Sequence, residues 1–328
     1  MYSRILVPLD GSAFAAQALP YATLIAGRLN AAITLFQAAP TLVDLMRHVT
    51  MRPATGGAGA IDSNATRGVS LDEWQEMHRR VRKETAEDLE RNAVLLRSAG
   101  LSVATAVGEG DPAEAIAQEA DSVENTLIAM TTHGRSGISR WWAGSVTDKT
   151  LRMTQSPMLV IRCEEEQHAP SQAQVQRIIL PLDGSPLAEL AIPHASALAN
   201  ALGAGVHVLR VRSQPYYFPA AYPLAGAIPS PGSVEPEAGE YVERIAERLR
   251  TEGAVGAEAV LTEGDAATII TEAAETAPHA LVVMSTHGRS GIGRWVMGSV
   301  ADKVVRQSGQ PVLLIRAEEE AGAASEAA

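Results

Sequence analysis

The chain has 328 residues and a net charge of −11, with 46% hydrophobic and only 4% aromatic residues. Surplus acid is the wrong sign for holding a nucleic-acid backbone, so no nucleic-acid partner is expected. The lone cysteine, Cys163, excludes an internal disulfide and a structural Cys-zinc site, and no apolar run nears the ~18 residues that span a membrane.

In chain order, residues 3–9 form an aliphatic run that reads as a first strand, entered directly from Met1 with no leader-like segment. Residues 13–30 read as a helix and 32–38 as a second strand. A polar middle, 40–70, gives way to a charged helix over 71–99 whose mixed signs mark a solvated face. Strand three is expected over 101–107. Asp111 and Pro112 then form an N-cap and N1 pair opening a helix over 112–122. Strand four covers 127–131, a helix 145–153 and strand five 158–161. The same order follows at 177–182, 187–202, 206–211, 242–251, 257–261, 267–277, 280–284, 299–306 and 312–315. Residues 214–240, rich in Pro and Tyr, read as irregular. This loop and 40–70 both follow strand two, where either a lid or a plain surface loop is consistent with the sequence.

The second series is a copy of the first. Arg-Ile-Leu-Val-Pro-Leu-Asp-Gly-Ser at 4–12 returns as Arg-Ile-Ile-Leu-Pro-Leu-Asp-Gly-Ser at 177–185. Residues 126–166 and 280–320 agree at about 24 of 41 positions without a gap. A repeat this long is a whole domain, not a solenoid unit. We expect domains at 1–166 and 177–316, a linker at 164–176 and a disordered tail at 317–328. Alternating strands and helices imply an α/β fold of two tandem doubly wound domains, each with a parallel sheet and helices on both faces.

Two features carry chemistry. Asp10 and Asp183 end the first strand of each half and precede Gly-Ser. There a carboxylate faces the crevice that binds ligands in such sheets, meeting a ribose hydroxyl, an adenine amine or a metal. Asp-Gly-Ser is equally ordinary turn and cap chemistry. The second feature follows strand four, which ends at Met130 and Met284. Thr131, His133, Gly134 and Arg135 precede Gly144, Ser145 and Val146; Ser285, His287, Gly288 and Arg289 precede Gly298, Ser299 and Val300. A glycine loop entering a helix N-terminus offers close backbone approach and unpaired N–H donors, which suits phosphate. Neither half has a P-loop or a first-turn dinucleotide fingerprint.

These motifs resemble the universal stress protein family over nearly all of both halves. The nucleotide-binding branch has Gly, two residues, Gly, nine residues, Gly and then Ser or Thr. Gly134, Gly144 and Ser145 match, as do Gly288, Gly298 and Ser299, whereas Thr131 and Ser285 replace the first glycine. The resemblance implies strand order 3-2-1-4-5 in five-stranded sheets and ATP, AMP or ADP as ligand, with magnesium as a possible companion. It assigns Asp10 and Asp183 to the nucleoside or metal and the Gly/Ser positions to phosphates. Met130, Val146, Met284 and Val300 line the pocket, and His133, Arg135, His287 and Arg289 are candidate contacts. It further implies a cytoplasmic stress-response protein with a regulatory ligand, a pseudo-dimer of the halves, a possible homodimer and a protein partner of unknown identity. The alternatives are a slow magnesium-dependent ATPase or phosphotransferase, and a nucleotide-free scaffold.

Overall fold

The computed structural model describes residues 1–50, 69–132, 145–163, 172–212, 236–287 and 297–316. The chain divides into two compact units, Tyr2–Ala173 and Gln174–Ala328. The expected linker (apart from its last few residues), the tail and most of the two irregular loops lie outside the described residues.

The first unit contains β1 (Arg4–Pro8), α1 (Ala13–Ala16), α2 (Leu19–Leu29), β2 (Ala32–Ala39), α3 (Leu42–Thr50), α4 (Leu71–Ser98), β3 (Val103–Glu109), α5 (Pro112–Asp121), β4 (Thr126–Thr131), α6 (Ser145–Met153) and β5 (Met158–Ile161). Its strands run parallel in the order β3-β2-β1-β4-β5. The second unit contains β6 (Arg177–Pro181), α7 (Pro186–Glu189), α8 (Ile192–Leu202), β7 (Gly205–Arg212), α9 (Pro236–Thr251), β8 (Ala257–Glu263), α10 (Ala266–Thr276), β9 (Ala280–Ser285), α11 (Ser299–Gln307) and β10 (Val312–Ile315). Its order is the same, β8-β7-β6-β9-β10, again all parallel. Each unit is therefore the doubly wound sheet expected, with the order reversing between its first and fourth strands.

The aliphatic runs explain the sheets. Every residue of β1, β4 and β9 is buried. Strands covered on both faces need no polar alternation, which is why they read as continuous runs. The outer strands β3 and β8 are covered only in part and mix polar with apolar positions.

Three readings change. The helix expected over 13–30 is two helices, α1 and α2, and its copy is α7 and α8. Pro20 and Pro193 stand in the first turn of the second helix of each pair. There a missing N–H is harmless, whereas inside one long helix the ring would break it. The polar stretch after β2 contains α3, opened by a reciprocal cap. Thr41 Oγ1 accepts from the Asp44 amide at 3.1 Å, and the Asp44 carboxylate accepts from the Thr41 amide at 3.2 Å. Finally, α9 starts at Pro236, inside the segment read as irregular. The expected cap at Asp111 is present, its Oδ1 accepting from the Ala113 and Glu114 amides, both at 3.1 Å.

Candidate functional site

Strand ends converge where the order reverses, and in the second unit they enclose a cleft of about 210 Å³. β6 contributes Pro181 and then Leu182 and Asp183; β7 contributes Leu209 and Val211. Met284 and Ser285 end β9, followed by Thr286 and His287. Gly298, Ser299, Val300 and Ala301 open α11 on the opposite wall, and Ala188, Ala266 and Ile270 complete it. The walls are aliphatic; the polar groups cluster at the strand ends and at the start of α11.

Asp183 first holds its own turn. Its Oδ1 accepts from the Ser185 amide at 2.9 Å and the Ser185 hydroxyl at 2.6 Å. The same hydroxyl accepts from the Ala188 amide at 3.2 Å and so caps α7. Asp10 does the same in the first unit, accepting from Ser12 N at 2.9 Å and Ser12 Oγ at 2.6 Å. The turn reading of Asp-Gly-Ser is thus structurally true, and Asp183 nevertheless lines the cleft.

The facing wall is built on Gly298. Its amide donates to the Thr286 carbonyl at 2.8 Å, tying the start of α11 to the end of β9. A Cβ at Gly298 would stand 3.0 Å from that carbonyl oxygen, so a side chain there presses on the tie. As N-cap residue Gly298 offers no side-chain acceptor. The helix's first bond is Asp302 N to Gly298 O, at 2.9 Å. The amides of the first turn have no partner within a helix, and at this helix start they carry the positive end of the dipole. Ser299, Val300 and Ala301 thus present a donor edge to the cleft.

Ser285 is buried at the end of β9, and its hydroxyl accepts from the His287 amide at 3.4 Å. The His287 ring sits with Nδ1 3.1 Å from Thr286 Oγ1. Both side chains help shape the turn. The equivalent Thr131 is buried too, and its carbonyl accepts from the Thr147 hydroxyl at 2.8 Å.

In the second unit the structure therefore brings Asp183, Met284, Ser285, His287, Gly298, Ser299 and Val300 to one cleft. Gly288 and Arg289 lie outside the described residues. In the first unit Asp10, Met130, Thr131, Ser145 and Val146 are described, while His133, Gly134, Arg135 and Gly144 are not. Residues missed by sequence reasoning are Pro181, Leu182, Ala188, Leu209, Val211, Ala266, Ile270, Thr286 and Ala301. Those from β6 and β7 stand at the carboxyl ends of strands, and that position was the signal available.

Next to each site a lysine joins the flanking helices. Lys149 Nζ lies 3.0 Å from Asp111 and 3.0 Å from Glu114, and Lys303 Nζ lies 3.7 Å from Asp265. Burial works against ionisation of Asp111, yet the Lys149 hydrogen bond and the Glu114 and Ala113 amides hold its carboxyl below the usual range. Among the described residues no group of three or more His, Cys, Asp or Glu side chains could hold a metal ion. No helix among them is long and apolar enough to cross a membrane.

The sequence pattern of the universal stress protein family matches residues 1–162 and again 174–316. A universal stress protein of Methanocaldococcus jannaschii is 30% identical over 162 residues, covering 49% of this chain and 83% of that protein. One from Mycobacterium tuberculosis is 27% identical over 206 residues, 60% of this chain and 63% of that protein. Among solved structures, a universal stress protein from Archaeoglobus fulgidus superposes with a TM-score of 0.61 at 18% identity, covering 96% of this chain and 99% of that one. The last likeness speaks for the fold alone.

Proposed function

The chain belongs to the universal stress protein family, as two tandem copies of its domain, and from that premise we propose that it binds an adenine nucleotide as a regulatory ligand. The observation that carries this reading is the single cleft joining Asp183, the β9 turn and the open start of α11. A phosphate at the amides of Ser299 and Val300 would receive N–H donors and the helix dipole together. The aliphatic walls from Leu182, Leu209, Val211 and Met284 suit the faces of a base, and Asp183 is an acceptor for hydroxyl or amine donors of the nucleoside. Magnesium would arrive on the phosphates, since the described side chains form no ligand cluster of their own, with Asp183 the carboxylate at hand. Binding changes a surface that a protein partner reads. A cytoplasmic setting follows from this reading.

Freshly purified protein, denatured and resolved by chromatography, should release adenine nucleotide. About two per chain makes both halves working sites, and about one divides their roles. None, together with no calorimetric heat on adding ATP and magnesium, overturns the reading and favours a scaffold.

A further inference from the structure

The Asp183 turn of the second unit is braced by a cluster whose residues have no counterparts at the matching described positions of the first unit. Arg210 on β7 follows Leu209, which lines the cleft, so its side chain leaves from the opposite face of the sheet. It is only 7% exposed. Its guanidinium lies directly on Gly184: a Cβ there would come within 2.5 Å of Arg210 Nη1 and 3.4 Å of Cζ. Gly184 has a φ of +77°, which itself favours glycine. On another flank the Arg210 Cζ is 5.5 Å from the centroid of the Tyr241 ring, on α9. The Tyr241 hydroxyl donates to Glu189 Oε1 at 2.8 Å. Burial, followed by that hydrogen bond and the charge of Glu189, raises the phenol above its usual range, so it remains a donor. Glu189 closes α7, the helix that Ser185 opens. Arg210 and Tyr241 thereby hold the segment from Gly184 to Glu189 at both ends.

The repeat supplies an internal control. Pro8 faces Phe36 where Pro181 faces Leu209, so Gln37 stands at the register of Arg210. Counting from the paired Ser12 and Ser185, Ala16 stands at the position of Glu189. Among the described residues, the first unit has the Asp-Gly-Ser turn with neither the arginine nor the carboxylate of this brace.

We propose that Arg210 is a positioning residue for the nucleoside end of the second cleft, fixing the Asp183–Gly184–Ser185 turn, and that it makes the second unit the tighter nucleotide site. The inference rests on the nucleotide reading above and adds an inequality between the halves.

Photolabelling of the full chain with graded 8-azido-ATP, followed by peptide mapping, reads each half separately. In the wild type, second-unit peptides should reach half-saturation at lower nucleotide than first-unit peptides. Arg210→Gln should raise the second-unit value about tenfold, the scale of a lost buried cation–π and turn contact, and leave the first unit unchanged as the folding control. Arg210→Lys, which keeps charge but not the flat stack, should recover part of the loss. Asp183→Asn combined with Arg210→Gln should fall short of the product of the single effects, because both act through one turn. A purely structural weakening would give independent losses. Should Arg210→Gln fail to fold, Tyr241→Phe, which keeps the ring and frees Glu189, should give a loss of about threefold. Unchanged second-unit labelling in the folded variant, independent losses, or tighter labelling of the first unit would overturn the inference alone. An unlabelled wild type would overturn it together with the nucleotide reading.

Discussion

In the first unit the ring of Phe36 on β2 reaches over Gly108 on β3; at the corresponding positions the second unit has Leu209 on β7, in register with Val260, and Thr262 on β8. A Cβ on Gly108 would stand 2.5 Å from Phe36 Cζ, so ring and glycine fit as a pair. The copy narrows the disparity, with a smaller side chain than Phe on the one strand and a larger one than Gly on the other. A similar exchange joins the fourth strand to the following helix. Thr147 donates its hydroxyl to the Thr131 carbonyl, whereas Ala301 has no hydroxyl to offer Ser285. The two units keep strand order, caps and the Asp-Gly-Ser turn, and settle side-chain packing separately. Close packing explains why: the backbone frame tolerates many fillings, but each filling must be complete within its own unit.

The largest expected break in that comparison is Gly108→Ala, which should destabilise the first unit by about 1–3 kcal/mol through overpacking against Phe36. Urea unfolding would measure it, and Phe36→Leu in the same chain should restore most of the loss. A loss untouched by the second change would show that the pair is not coupled. Next comes pH. His194 on α8 is pushed down to about 4 by burial, while the first unit has Tyr21 at the matching position. A depressed folded value favours the neutral ring, so its stabilisation is complete above about 6.5 and is lost as pH falls towards 4. The second unit should therefore lose on the order of 2 kcal/mol across that window, allowing for partial exposure. His194→Gln should flatten the melting-temperature profile, and an unchanged slope would assign it to another group. Thr147→Ala brings the first unit to the second's arrangement and should cost about 1 kcal/mol, the scale of one buried hydrogen bond. Smallest is Lys149→Met: its partners are exposed, so thermal unfolding should move by no more than about 0.5 kcal/mol.

Much of the architecture was legible from residue order. Uninterrupted aliphatic strands, the Asp111-Pro112 helix start and the whole-domain repeat each have a direct physical meaning, and strand order followed from the family resemblance. The break between α1 and α2 was hidden because both pieces are rich in Ala and Leu, and the information lay in where Pro20 and Pro193 stand. The short helix α3 was obscured by a polar context, although Thr41 and Asp44 carried its cap. At the site, chemistry-bearing residues such as Asp183 and Gly298 were visible from their motifs. Its aliphatic walls were not, since Leu209 or Val211 looks like any core residue until the sheet places it at the strand ends. Arg210 gave no motif at all; its role depends on contacts with Gly184 and Tyr241, which are far apart in the chain.

Several helix starts among the described residues are closed by their own side chains: Ser12, Ser70, Asp111, Ser185 and Asp265 each accept from a first-turn amide. The start of α11 has only Gly298. Under the proposed function, a bound phosphate is the cap that the chain omits, so occupancy enters the folding free energy of the second unit. Its stability should rise with free ligand as RT ln(1 + [L]/Kd), by about 2.7 kcal/mol at a hundredfold excess over Kd. Because cells clear unfolded chains continuously, a shift of that size alters how long each molecule survives. The missing cap would then make the amount of this protein a record of the nucleotide it meets.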